Sequence, residues 1–267
     1  MRFSSVLASS LFLIFTSAAH AYVPPSFYVL RMLARKHASL DEGKFRHTVS
    51  VYRSNGEVDR VFRETLVLEN SGRATIRIAN EQGAEVALRV RGLGGDRPLP
   101  YDLLIVKDAA SIFDHFKSLG FPLKTERELY SEKEGTLPYK PEETVSYARF
   151  ENKVAVVLGP ESPEDREAVK GPQLWVEKDS YLPLRVVLPS VSGISGPLEY
   201  RFSQYRVHKS LLYPNVTQIF RDKTLWVKIE TQEVKLGSVG EVELSRNKAS
   251  PDSDSKEFLE QYFIWVR

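Results

Sequence analysis

The sequence contains no cysteine among its 267 residues. That excludes disulfide staples, thiolate metal sites, cysteine nucleophiles and lipid attachment through an N-terminal cysteine. An excess of either charge is also missing. Lys and Arg number 37 against 35 Asp and Glu, without a sequence-wide basic block, so nucleic acid is not an expected partner. The five histidines, His20, His37, His47, His115 and His208, form no H-x-x-x-H pair and have no acidic companion motif, so no metal and no other cofactor is expected. Gly92-Leu93-Gly94-Gly95-Asp96 lacks the Lys-Ser/Thr and helix start of a phosphate loop, and reads as a hairpin or lid hinge. There is no G-x-S-x-G elbow, and the carboxylates are dispersed over wet faces and loops. No catalytic residue is nominated, and the chain is not expected to be an enzyme.

Membrane-spanning apolar runs are absent too. Val6 to Phe15 falls far short of the roughly 20 residues that cross a bilayer. With Arg2 before it and the small-residue ending Ala19-His20-Ala21 after it, residues 1–21 read as a secretory signal peptide cleaved before Tyr22. Residues 22–267 then read as one domain, with 42% hydrophobic residues to build a core.

What the sequence does have is alternation. Leu174-Trp175-Val176-Glu177, the break at Lys178-Asp179-Ser180 and the resumption at Leu184-Arg185-Val186-Val187-Leu188 are a β-hairpin signature. Similar strands are predicted at 45–52, 61–69, 73–80, 85–91, 144–150, 153–158, 198–207, 216–221 and 224–236, ten or eleven in all. Asn55-Gly56, Asn70-Ser71-Gly72 and Glu81-Gln82-Gly83 supply turns short enough for an antiparallel meander. An amphipathic helix is predicted over Phe27 to Leu40, started by Pro24-Pro25. A second, Ala109 to Leu119, lies in an insertion at about 92–142 that packs over the sheet. Residues 160–171 read as an acidic loop or short helix. After a Pro/Asp/Ser linker, Phe258 to Phe263 is a closing helix, or Tyr262 to Val266 a last strand. The fold class is therefore mainly β with a few helices, α+β.

One parity of the strands is dry. Val49 and Val51, Leu66 and Leu68, Ile76 and Ile78, Leu88, Val156, Leu184, Val186, Leu188, Tyr200, Phe202, Val227 and Ile229 are the candidates to line an apolar cavity. The other parity carries Arg63, Thr65, Arg77, Arg89, Arg185, Arg201, Lys228 and Glu230. His47 falls on the dry parity as a core histidine or a pocket wall. At about 25 cal/mol per Å² such a face cannot be left in water. Helices cover it, a second sheet packs on it, or a curved sheet leaves a cavity for an apolar ligand. Ile112, Phe113 and Phe116 are the candidate lid residues. Tyr200, Phe202, Tyr205, Tyr213, Phe220, Trp175 and Trp226 suit either cross-strand packing or an acyl-chain groove.

In the exported start without a lipidation cysteine, the opening helix, the long meander, the hairpin exit Leu182-Pro183-Leu184-Arg185, and the late strands Tyr200 to Arg206, Leu212 to Asn215 and Leu225 to Leu236, the chain resembles the LolA-like periplasmic lipoprotein carriers, which include outer-membrane lipoprotein-sorting proteins. The resemblance implies an unclosed half-barrel whose concave apolar face, covered by helices, takes acyl chains of a lipoprotein or lipid. It implies a lipid-binding transport role in the periplasm, in outer-membrane biogenesis, by a monomer that exchanges cargo with inner- and outer-membrane partners. Family carriers also have an aromatic-x-x-Arg-Pro segment whose arginine latches the lid. The corresponding region here reads Leu66 to Arg73, with Arg73 as the nearest arginine. The competing reading is a structural or interaction module of the same fold with a filled core.

Overall fold

The computed structural model describes residues 22–36, 40–92, 103–105, 109–131, 144–160, 171–189, 196–238 and 248–267. The leader, nearly all of the Gly/Pro loop from Gly92 to Pro100, and the acidic segment 161–170 lie outside the described residues.

Among the described residues, eleven strands form one antiparallel sheet. They are β1 (Gly43–Tyr52), β2 (Val58–Leu68), β3 (Arg73–Ala79), β4 (Glu85–Gly92), β5 (Val145–Phe150), β6 (Lys153–Leu158), β7 (Gln173–Glu177), β8 (Pro183–Leu188), β9 (Leu198–His208), β10 (Leu211–Arg221) and β11 (Thr224–Leu236). The order across the sheet is β4-β3-β2-β1-β11-β10-β9-β8-β7-β6-β5. Every consecutive pair of strands except β4 and β5 is therefore adjacent, and β1 pairs with β11. The one chain-order pair left unmade is β4 with β5, the two edges, and the insertion crosses between them.

Turn chemistry sets the first wing. In Arg53 to Glu57, Glu69 to Arg73 and Asn80 to Ala84 the amide of Gly56, Gly72 or Gly83 donates to the carbonyl three residues back, at 2.9 Å each time. A three-residue hairpin loop needs its last residue in the left-handed region, which is where each glycine sits. Gly159, at the end of β6, has φ +129° and a different role: a Cβ there would lie 2.3 Å from the Pro172 carbonyl oxygen, where β7 begins.

Helix α1 (Ser26–Lys36) turns Val29, Leu30, Leu33 and Ala34 inward and ends in Arg35 and Lys36, a favourable place for cations. Residues 37–39 of the predicted helix lie outside the described residues. α2 (Ala109–Ser118) buries Ile112, Phe113 and Phe116, and Phe116 packs edge-on against Phe121 with ring centroids 4.7 Å apart. α3 (Glu126–Ser131) starts with a reciprocal cap. The Glu128 amide donates to Thr125 Oγ1 at 3.2 Å and the Thr125 amide to Glu128 Oε2 at 2.6 Å. The C-terminal segment, open between helix and strand from sequence, is helix α4 (Ser253–Trp265), with Asp252 as its N-cap accepting from the Ser255 amide. α1, α2, α4 and residues 103–105 share one hydrophobic core with the dry face of the sheet.

Gly159→Ala should lower stability by about 1–3 kcal/mol, because the new methyl overlaps backbone that cannot swing aside. Urea unfolding of the variant against the parent measures this.

Candidate functional site: the covered dry face

Thirteen of the fifteen cavity candidates meet in this core: Val49, Val51, Leu66, Leu68, Ile76, Ile78, Val156, Val186, Leu188, Tyr200, Phe202, Val227 and Ile229 are all buried within it. Ile112, Phe113 and Phe116 of α2 join them. Leu184 is buried but outside this cluster. The β7–β8 register steps from Trp175↔Arg185 to Val176↔Pro183, which makes Leu184 the extra residue of a bulge.

Leu88 departs from the expectation. It is 42% exposed, and Val90 is 46% exposed. The cause is a register shift between Ile78 and Ala79, after which Ile78 pairs with Ala87, Arg77 with Leu88 and Ile76 with Arg89. Directly opposed residues share a face. Leu88 therefore stands with Arg77 on the polar side, and Arg89 turns to the dry side, the reverse of the sequence reading. There Arg89 Nη1 donates to the Phe263 carbonyl at 2.7 Å and its guanidinium lies 5.6 Å from the Phe263 ring. Arg73, the nearest arginine to the family's latch segment, pairs at 3.7 Å with Glu69 across a hairpin turn.

The cover of the dry face has two parts. α4 runs along β2 in matched steps. Arg60 meets Asp252 at 3.0 Å and Asp254 at 3.1 Å, Phe62 stacks on Phe258 with centroids 5.5 Å apart, and Glu64 accepts from Tyr262 Oη at 2.6 Å. Four helical residues advance about 6 Å and two strand residues about 6.8 Å, so successive contacts stay aligned. Beyond the helix, Arg267 grips Glu64 bidentately, Nη2 to Oε1 at 2.7 Å and Nε to Oε2 at 2.8 Å. Tyr200 Oη donates to the Trp265 carbonyl at 2.6 Å, which with Arg89 satisfies carbonyls of the last helical turn.

Glu64 is the centre of this arrangement and is fully buried, as are His47 and Arg267. Burial alone would raise the Glu64 carboxyl, but the Arg267 charge and the bond from His47 outweigh it and hold it far below the usual carboxylate range. An ionised carboxylate only accepts, so His47 Nδ1 carries the proton donated to Glu64 Oε1 at 2.8 Å. Burial is the largest influence on His47 and lowers its pKa, against the pull of Glu64 and with the push of Arg267. The neutral ring leaves Nε2 as an acceptor, facing Tyr213 Oη at 3.4 Å. His47 is thus a bonded core histidine, and it also contributes to the lining of a cavity in the sheet, so both sequence readings of it apply. Glu64 and Arg267 were missed, although Glu64 lies on the dry parity between Phe62 and Leu66, where a lone carboxylate needs a buried cation. Among the described residues no group of His, Asp and Glu could hold a metal ion, and no helix is long and apolar enough to cross a membrane.

α1 and α2 form the other part and pack on each other. Apart from the buried Ser26, whose hydroxyl donates to the Lys124 carbonyl at 3.5 Å, their inward faces are apolar, and their ion pairs, Arg31–Glu126 at 3.8 Å and Lys117–Glu128 at 3.6 Å, lie at the exposed rim and join pieces of the cover to one another. They sit toward the second wing. Tyr28 meets Tyr181 edge-on, and Tyr147 of β5 donates to the Tyr22 carbonyl at 2.8 Å.

Glu64→Gln should cost about 3–5 kcal/mol, since it strands the buried Arg267 guanidinium. The pH dependence follows from the two lowered pKa values. The unfolded chain protonates its histidine near 6.5 while folded His47 stays neutral, so stability is fully present above about pH 6.5 and falls as pH drops below it. Glu64 adds a further loss on acidification from about 4.5 downward. His208, also lowered, by burial and by Arg206, contributes in the same sense as His47. Urea midpoints between pH 8 and 5 should therefore fall with acid, and His47→Gln should remove part of that slope. A midpoint independent of pH would contradict the buried neutral ring.

No protein-family model matches the chain, and no curated protein matches it. Solved structures do. A LolA superfamily protein from Nitrosomonas europaea is 9% identical, over 81% of this chain and 95% of that one, with a TM-score of 0.43. An outer membrane lipoprotein-sorting protein domain from Vibrio parahaemolyticus is 12% identical, over 83% and 94%, also at 0.43. A DUF1329 family protein from Desulfovibrio piger is 12% identical, over 81% and 94%, at 0.39. These similarities include the family that the sequence resembles.

Proposed function

We propose that the chain binds acylated cargo, lipoprotein acyl chains or lipid, on the dry face of its sheet, and carries it through the periplasm in outer-membrane biogenesis. The observation that supports this reading is the division of the cover into a helix fixed by buried polar bonds, α4, and an apolar pair, α1 and α2, whose ion pairs stand at the rim. Cargo would displace α1 and α2 while α4 stays in place.

The energies permit such an exchange. The inward residues Val29, Leu30, Leu33, Ile112, Phe113 and Phe116 lose about 10–20 kcal/mol of burial if both helices lift into water. A saturated chain of about 16 carbons recovers about 12 kcal/mol at roughly 0.8 kcal/mol per methylene. One or two chains in the vacated space therefore offset most of the opening cost. A second reading, a filled-core structural or interaction module, has an observation of its own: the candidate residues are packed against each other and the helices in one cluster. The two readings differ in what a weakened lid does.

Phe116→Ala should lower stability by about 3–5 kcal/mol on either reading. If cargo replaces lid contacts, the same variant should bind a dansyl-labelled fatty acid at least about tenfold more tightly than the parent, because less burial is given up on opening. Fluorescence titration reads this. Absence of probe binding in both proteins would leave the filled-core module standing.

A further inference from the structure

The polar face of β1 to β3, behind the α4 anchorage, holds a cavity of about 520 Å³ whose lining includes Arg46, Thr48, Arg63, Thr65, Arg77 and Gln232. Register fixes their arrangement. Arg46 opposes Thr65 and Thr65 opposes Arg77, one row across three strands; Thr48 opposes Arg63 in the next row. Neighbouring strands are about 4.8 Å apart and same-face residues about 6.8 Å apart, so the three arginine stems stand at the corners of a triangle roughly 8–10 Å on a side. Two threonine hydroxyls lie among them.

The charge does not cancel. Glu85 is 3.9 Å from Arg77, and Glu233 is 3.1 Å from Arg46 but also 2.8 Å from Lys235. Glu230, beside Thr48, is held at 2.9 Å by Lys228. Glu64 contributes to the cavity floor, yet its carboxylate is committed to Arg267 on the other face. Arg63 is exposed and has no ion-pair partner among the described residues.

We infer that this cavity binds a phosphate-type oxyanion, a phosphorylated small molecule or a phospholipid headgroup. One carboxylate is satisfied by one bidentate guanidinium. Three guanidiniums with two hydroxyls suit an anion with three or four acceptor oxygens, and the volume lies in the range of small-ligand sites instead of a flat peptide edge. The site lies on the face opposite the proposed acyl surface and does not depend on that surface binding lipid.

The test titrates the purified protein with inorganic phosphate and glycerol 3-phosphate by calorimetry, and measures co-flotation with phosphatidylglycerol against phosphatidylcholine vesicles. Expected is binding to a phosphate ester or to phosphatidylglycerol vesicles, with phosphatidylcholine much weaker, and a loss of at least tenfold in Arg63→Gln at unchanged ligand-free melting temperature. Binding to the vesicles alone identifies a lipid headgroup, and binding to the free esters alone a soluble ligand. If Arg63→Gln melts lower, Arg46→Gln must show the same loss of affinity. The inference is overturned if none of the phosphate probes binds, if both variants bind as the parent does, or if a poly-glutamate peptide binds as tightly as the phosphates.

Discussion

A long antiparallel sheet with one dry face must either close on itself or be covered, and here it does not close. Around the sheet every consecutive pair but one is adjacent, and β1 meets β11, so the order is that of an up-and-down barrel with one pairing left out. The missing pair is β4 with β5, and the chain between those strands carries α2 and α3. Closure would leave no edge. Without it, the dry residues of all eleven strands need partners from elsewhere, and α1, α2 and α4 supply them. The division of labour among the helices follows from that single omitted pairing.

The helices are fixed by different physics. Apolar packing is nondirectional, so a helix held by it alone can slide or be replaced by anything equally apolar. α4 is held otherwise. Phe62 on Phe258 would tolerate several positions of the helix along β2, but the bidentate grip of Arg267 on Glu64 tolerates one. Burying two charges costs several kcal/mol per ion, and the donors around Glu64 (His47, Tyr262 and Arg267) offset that cost only when all are in place. The cluster therefore contributes positional definition as its main effect: a half-docked α4 is worse than either extreme.

The sequence showed the strands because alternation has a period of two and the dry parity is consistently apolar; β6 and β11 fall where the pattern places them. It did not show which way β4 faces. Val86, Leu88 and Val90 look like a dry row, but a one-residue shift in pairing with β3 turns Leu88 and Val90 to the polar side and Arg89 inward, where a helix carbonyl and an aromatic ring receive it. A bulge leaves no mark in hydropathy. The Glu64–Arg267 pair was illegible for another reason: its members are 203 positions apart, and each alone is an ordinary charged residue. Only the parity of Glu64, between Phe62 and Leu66, hinted at a buried carboxylate. The dry face was thus readable as a surface, while the polar bonds that organise its cover were not.

The two faces of β1 to β3 are joined through the backbone. Arg46 precedes His47, Arg63 precedes Glu64 and Arg77 precedes Ile78, so the residues of the polar cavity are immediate neighbours of those that hold α4 or pack beneath it. Successive residues of a strand point to opposite faces, and a rigid set on one side therefore fixes positions on the other. The arginine triangle stands behind the anchored part of the cover. Tyr28 of α1, in contrast, meets Tyr181, and Tyr22 just before α1 accepts from Tyr147, on the wing that carries β5 to β8. An anion held by Arg46, Arg63 and Arg77 would rest on the wing whose cover is anchored by α4, so that under the proposed exchange of α1 and α2 for cargo the protein would be held at a phosphate-bearing surface or ligand without obstructing that exchange.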